Sequence, residues 1–121
     1  MRLRLLVLFA ALLAIPALAA DITGTWQFSV DIDGGGHGDP TFVLKVAAGK
    51  ITGSYNGPMG ERPVTGTVKG DTAVIEFKGE RDGQAFTATY TAKIEGADKM
   101  TGTLVFAPGD TTGKWTATRK K

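Results

Sequence analysis

The chain has 121 residues, no cysteine and a formal charge of +2, from 14 Lys and Arg residues against 12 Asp and Glu residues. A chain of about 100 residues can bury one hydrophobic core. Without cysteines, that core has no disulfide framework to reinforce it. The lysines are scattered along the chain and only Arg119 to Lys121 form a group, so we do not expect a nucleic-acid-binding surface.

The first twenty residues have the pattern of a secretory leader. Two arginines precede an apolar run at residues 5–15, Pro16 ends that run, and Ala17-Leu18-Ala19 has the small-x-small form of a cleavage site. We predict a signal peptide over residues 1–20 and a single domain over residues 21–121. With Arg2 and Arg4 removed, 12 basic residues face 12 acidic ones, so the mature chain is formally neutral.

The absence of cysteine also helps to predict where the protein is located. It excludes a lipoprotein signal, so the exported protein is expected to carry no membrane anchor. It also argues against a small extracellular eukaryotic domain, which usually carries disulfides. We therefore predict a bacterial protein that is periplasmic or secreted.

After the leader, apolar and polar residues alternate with a period of two, and no window shows helical periodicity. This pattern predicts an all-β protein with eight antiparallel strands in an up-and-down barrel, which leaves no open sheet edge. A β-sandwich is the alternative architecture. The predicted strands cover residues 23–33, 40–47, 50–57, 62–69, 72–79, 84–95, 98–107 and 112–120.

One face of every predicted strand is apolar, and only that face can form a core. Thr-Gly pairs recur on five strands, as in ITGTW at residues 22–26 and ITGSY at residues 51–55. We interpret their glycines as points where the barrel wall curves and where space is left for a bulky neighbour. The inward glycines are Gly24, Gly53, Gly66, Gly102 and Gly113.

The Gly24-Thr25-Trp26 sequence at the start of the first strand resembles the Gly-x-Trp signature of the calycins, the barrel superfamily that includes lipocalins, fatty-acid carriers and avidins. The resemblance implies that Trp26 plugs the closed end and that an arginine late in the last strand packs across it. Strand parity, the alternation of side chains between the two faces of a strand, puts Arg119 on the inward face. Together with the closure of the barrel, it independently places Arg119 beside Trp26, within reach of a cation–π contact. Gly24, Trp26 and Arg119 are therefore predicted to be structural residues.

Within the calycins, ITGTW followed by a Thr-Gly-Ser-Tyr strand is most similar to the avidins, and Tyr55 matches the avidin tyrosine. However, the positions that correspond to the asparagine and serine of the biotin site are Phe28 and Ile32. Because burial of a ureido group without polar partners is costly, biotin is not the expected ligand. The mature chain also resembles small exported bacterial barrels of undetermined role.

Strand direction places the loops at 34–39, 57–61, 79–83 and 108–111 at the open end. The densest cluster of potential metal ligands is DIDGGGHGD at residues 31–39. It lacks the oxygen ligands of an EF-hand at the fifth and twelfth positions, and His37 is its only strong zinc ligand. We predict a glycine-rich hairpin loop here, with no metal and no cofactor, and weak metal binding by this loop is the alternative.

Catalysis is not expected. The chain has one histidine, and both of its serines, Ser29 and Ser54, face outward by parity. This arrangement argues against Ser–His–Asp chemistry, and the absence of cysteine removes the other common nucleophile. We predict that the protein is not an enzyme.

Two functional hypotheses remain. In the first, the barrel binds a small apolar or aromatic ligand through its open end, with Tyr55 and Trp115 orienting the ligand. In the second, the core is filled and the protein works through its surface, as an accessory, inhibitor or envelope module with a periplasmic or secreted protein partner. The first hypothesis names inward residues in the upper half of the barrel as the ligand-binding set: Val30, Ile32, Phe42, Tyr55, Phe77, Phe86 and Trp115.

Overall fold

A computed structural model describes residues 20–120. The predicted leader, apart from Ala20, lies outside the described residues, as does Lys121. The described chain forms nine strands and no helix. Residues 20–120 thus contain no helix that is long and apolar enough to cross a membrane. The strands are β1 (Gly24–Ile32), β2 (His37–Gly38), β3 (Thr41–Ala47), β4 (Lys50–Gly57), β5 (Gly60–Lys69), β6 (Thr72–Arg81), β7 (Gln84–Ile94), β8 (Lys99–Ala107) and β9 (Thr111–Arg119).

The predicted eight-stranded antiparallel barrel is confirmed. From β3 to β9 each strand pairs with the next one in the sequence, and β1 pairs with β3 on one side. On its other side β1 pairs with β9, in a register that runs from Trp26 opposite Arg119 to Ile32 opposite Gly113. This last pairing closes the sheet into a barrel, so the sandwich alternative does not apply.

The ninth strand was not predicted. Strand β2 consists of two residues that fold back onto the upper half of β1, with Asp31 opposite His37 and Val30 opposite Gly38. The lower half of β1, Gly24 to Gln27, pairs with β3 instead. Because β2 lies in a glycine-rich segment without alternating side chains, the sequence pattern carries no signal for it.

Two of the predicted open-end loops are shorter than expected. Strands β4 and β5 are joined through Pro58 and Met59, and strands β6 and β7 through Asp82 and Gly83. Asp82 and Gly83 have φ angles of 53° and 79°. This conformation is that of the tight hairpin turn favoured by an Asp-Gly pair, which lets the strands continue almost to their tips.

Three of the inward glycines lie where the adjacent strand leaves no room for a side chain. A Cβ atom on Gly53, Gly66 or Gly102 would collide with a backbone carbonyl oxygen of the adjacent strand. At Gly102 the same atom would also lie 2.8 Å from Cζ2 of Trp115, whose indole packs over the glycine. The expectation that these glycines leave space for a bulky neighbour is confirmed at Gly102, where an aromatic ring fills the space left by the missing side chain. Their role in the curvature of the wall stays a prediction.

Candidate functional site

The closed end of the barrel is sealed around Trp26. Its indole is fully buried and its Nε1–H donates a hydrogen bond of 2.9 Å to the carbonyl of Ile22. The guanidinium of Arg119 lies 4.6 Å from the Trp26 ring centroid. It also donates to the carbonyl of Ala97 at 2.8 Å and to the carboxylate of Asp98 at 3.2 Å. The contact inferred from parity and topology is thus present.

The middle of the barrel is filled by aromatic rings. Phe28 packs on Phe42 with ring centroids 4.2 Å apart and stacks on Trp115 at 4.6 Å. Tyr55 stacks on Phe77 at 4.2 Å. Such contacts combine large apolar burial with specific ring geometry. These rings therefore fill the interior as an aromatic plug, formed by Phe28, Phe42, Tyr55, Phe77 and Trp115.

Above this plug a cavity of about 730 Å³ opens at the other end of the barrel. Its deeper lining is apolar or aromatic, with the side chains of Val30, Tyr55, Phe86, Tyr90, Leu104 and Phe106. Its rim is formed by the four predicted open-end loops, which contribute His37, Pro58, Met59, Arg81, Asp82 and Pro108. The four predicted loops therefore do share one end of the barrel, although two of them are short turns. The volume lies within the range of small-molecule sites.

The predicted ligand-binding residues divide into two layers. Val30, Ile32, Tyr55 and Phe86 line the cavity. Phe42, Phe77 and Trp115 do not line it, because their rings pack into the aromatic plug beneath its floor. The Trp115 indole, which we expected to orient a ligand, donates its hydrogen bond to the carbonyl of Thr103 at 2.8 Å instead.

Sequence reasoning missed Tyr90, Leu104 and Phe106 as cavity residues. All three alternate with outward residues and so belong to the inward face, but they were left out of the ligand-binding set. Phe106 lies one residue before the end of β8, beside the open-end loop at 108–111, so strand direction could have included it. Tyr90 and Leu104 are directly opposite each other on β7 and β8. For Tyr90, the available signal was the length of the side chain, because the tip of a tyrosine reaches well beyond the level of its own Cα atom.

Two tyrosine hydroxyls supply polar groups in the apolar part of the cavity. The Tyr55 hydroxyl accepts a long hydrogen bond of 3.5 Å from the backbone N–H of Met59. The Tyr90 hydroxyl makes no hydrogen bond to any other residue in the range 20–120, although Tyr90 is only 2% exposed. Burial raises the pKa of both phenols, most strongly that of Tyr90, so both are neutral donors at physiological pH.

At the rim, His37 lies between two aspartates. Its Nδ1 is 2.7 Å from Oδ1 of Asp31, and its Nε2 is 3.0 Å from Oδ1 of Asp39. The hydrogen bond to Asp31, followed by that to Asp39, raises the pKa of the imidazole. Within the part of the chain that the structure describes, no group of three or more His, Asp and Glu side chains is arranged to hold a metal ion. Two of the three acidic residues of this stretch pair with the histidine, and the third, Asp33, accepts a hydrogen bond from the Thr112 hydroxyl.

No protein-family model and no curated protein matches the chain. Among solved structures, it is similar to a redesigned β-barrel, b11L5F_LGL, with a TM-score of 0.70 and 12% identity over 83% of this chain and 92% of that one. It is also similar to the redesigned β-barrel mFAP1 bound to DFHBI, with a TM-score of 0.62 and 17% identity over 81% and 94% of the two chains. EF1p2_mFAP2b bound to DFHBI gives a TM-score of 0.59 and 14% identity, over 83% and 94%. At these identities the likeness shows the fold alone, a small eight-stranded β-barrel.

Proposed function

We propose that the protein binds a small apolar or aromatic ligand in the cavity at the open end of its barrel. The observation that carries this proposal is the cavity of about 730 Å³ above a filled aromatic core. An apolar floor of this kind stabilises a ligand by removing its surface from water, and a few polar groups then orient it. The similarity to barrels that bind the small aromatic dye DFHBI supports the proposal.

The proposal also covers the location of the protein and the class of barrel to which it belongs. The leader pattern of residues 1–20 supports export to the periplasm or the medium. The Gly-x-Trp sequence and the contact between Arg119 and Trp26 support a calycin-like barrel. The protein is proposed to bind without catalysis, because the cavity lining contains no serine or cysteine nucleophile among residues 20–120.

The alternative, a surface module with a filled core, receives less support. The middle of the barrel is indeed filled, as that hypothesis requires. Its second requirement is an exposed apolar patch. The large apolar side chains that are exposed within the described residues, Val43, Val74 and Val105, lie on three separate strands, β3, β6 and β8.

Titration of the mature protein with N-phenyl-1-naphthylamine tests the proposal, because this apolar dye becomes fluorescent in an apolar site. We expect saturable binding that Ile32→Lys weakens at least tenfold, since it places a charge in the apolar lining. Val74→Lys makes the same chemical change on the outer wall and should leave binding unchanged. Absence of saturable binding by the wild type, or equal effects of the two variants, would contradict the proposal.

A further inference from the structure

The Tyr90 hydroxyl is a polar group that has no hydrogen-bond partner among residues 20–120. The ring of Tyr90 lies against four other aromatic rings, with centroid distances of 5.7 Å to Phe28, 5.1 Å to Phe42, 6.3 Å to Phe77 and 5.8 Å to Trp115. Yet Tyr90 also lines the cavity. Because these neighbours enclose the ring, the hydroxyl at its tip is the part left to face the cavity.

An unpaired buried hydroxyl is costly for a folded protein, and most buried polar groups have partners. Phenylalanine at this position would keep every ring contact without that cost. The hydroxyl therefore contributes nothing visible to the fold, in contrast to the Trp26 and Trp115 indoles, each of which donates to a backbone carbonyl. A group of this kind at a cavity floor is suited to pair with a bound molecule.

We propose that Tyr90 donates a hydrogen bond to a neutral carbonyl oxygen of the ligand, so that the preferred ligands are apolar or aromatic carbonyl compounds that enter carbonyl first. This inference rests on the proposed ligand-binding function and specifies its chemistry. The Tyr90 hydroxyl is a donor because the phenol is protonated at physiological pH.

A neutral acceptor fits the floor better than an anion does. The basic side chains that line the cavity are Arg81 and His37, and both lie in the rim rather than in the floor. A carboxylate pushed down to Tyr90 would lose its hydration without gaining a cationic partner. A ketone, amide or ester oxygen needs only the one hydrogen bond that the hydroxyl offers.

A matched pair of probes isolates this hydrogen bond. 2-Acetylnaphthalene and 2-isopropenylnaphthalene have nearly the same shape, but only the first carries a carbonyl oxygen. The dissociation constants of both probes are measured by calorimetry for the wild type, Tyr90→Phe and the control Tyr55→Phe. Comparing the ratio of the two constants between proteins cancels the different solubilities of the probes.

We expect Tyr90→Phe to shift this ratio about three- to tenfold against the ketone, the usual worth of one neutral hydrogen bond. Tyr55→Phe should shift it less, because the Tyr55 hydroxyl lies at the backbone N–H of Met59 in the rim loop rather than at the cavity floor. The urea midpoint of Tyr90→Phe should equal or exceed that of the wild type, because no hydrogen bond within the protein is lost. An unchanged ratio with both probes bound would overturn this inference alone, whereas failure of both probes to bind the wild type would overturn the proposed function as well.

Discussion

The two ends of the barrel differ in how their polar groups are paired. At the closed end, the Trp26 indole and the Arg119 guanidinium both donate to protein acceptors. At the open end, the Tyr55 hydroxyl accepts one long hydrogen bond and the Tyr90 hydroxyl has no partner among residues 20–120. A buried group that the chain satisfies stabilises the fold, whereas one that it leaves unsatisfied is available to a ligand. Under the proposed function, one end of the barrel therefore contributes stability and the other end binds the ligand.

The largest expected effect tests the closed end directly. Trp26→Ala removes a fully buried indole and should lower the free energy of unfolding by about 3–5 kcal/mol. Phe86→Ala, at the partly exposed cavity wall, should cost only about 1–2 kcal/mol. Urea unfolding of both variants measures the difference. Equal losses would mean that the two ends contribute alike to stability.

A second prediction concerns the wall that both ends share. Gly53→Val or Gly102→Val forces a side chain into the backbone of the adjacent strand and should cost about 1–3 kcal/mol or more. Thr67→Val and Thr103→Val replace a hydroxyl with a methyl group on the exposed face and should change stability by less than about 0.5 kcal/mol. Similar losses in the two pairs, measured by the same unfolding method, would show that the glycines do not set the curvature.

The third prediction asks whether the closed end acts as one unit. Because Arg119 packs over Trp26, the losses from Trp26→Ala and Arg119→Ala should not be additive, with a coupling of about 1 kcal/mol in a double-mutant cycle. Tyr90→Phe combined with Arg119→Ala provides the control, since these side chains have no contact with each other. Additive losses for Trp26 and Arg119 would show that these two residues do not seal the closed end together.

The smallest effect is expected at the rim of the open end. The pKa of His37 should lie above its ordinary value of 6.5, chiefly because of the hydrogen bond to Asp31. The ion pairs with Asp31 and Asp39 are then fully present below about pH 6.5 and are lost as the pH rises through the raised pKa.

His37 is the only histidine, so its imidazole resonances can be assigned without ambiguity in an NMR titration. Asp31→Asn should lower the pKa of His37 more than Asp39→Asn does, in line with the shorter distance of 2.7 Å against 3.0 Å. A wild-type pKa at or below 6.5 would refute the bridged arrangement.

The barrel could be predicted from the sequence because alternation, tight turns and inward glycines all indicate the same architecture. The contact of Arg119 with Trp26 was accessible for the same reason, since it follows from parity and from the closure of the barrel. Parity says which side of the wall a residue faces, but not how far its side chain extends along the barrel axis. For this reason Trp115 was assigned to the ligand site although its ring lies in the plug, and Tyr90 was left out although its tip reaches the cavity.

The seam between β1 and β9 has a kinetic consequence. It joins strands nearly a hundred residues apart, with Trp26 opposite Arg119, so the barrel cannot close until the two ends of the domain have met. Such distant pairing slows folding. A circular permutant that links residue 120 to residue 21 and opens the chain in the Ala48–Gly49 turn makes this seam local and moves the distant pairing to β3 and β4. The break lies at the closed end, so the permutant would change the order of assembly while leaving the cavity loops intact.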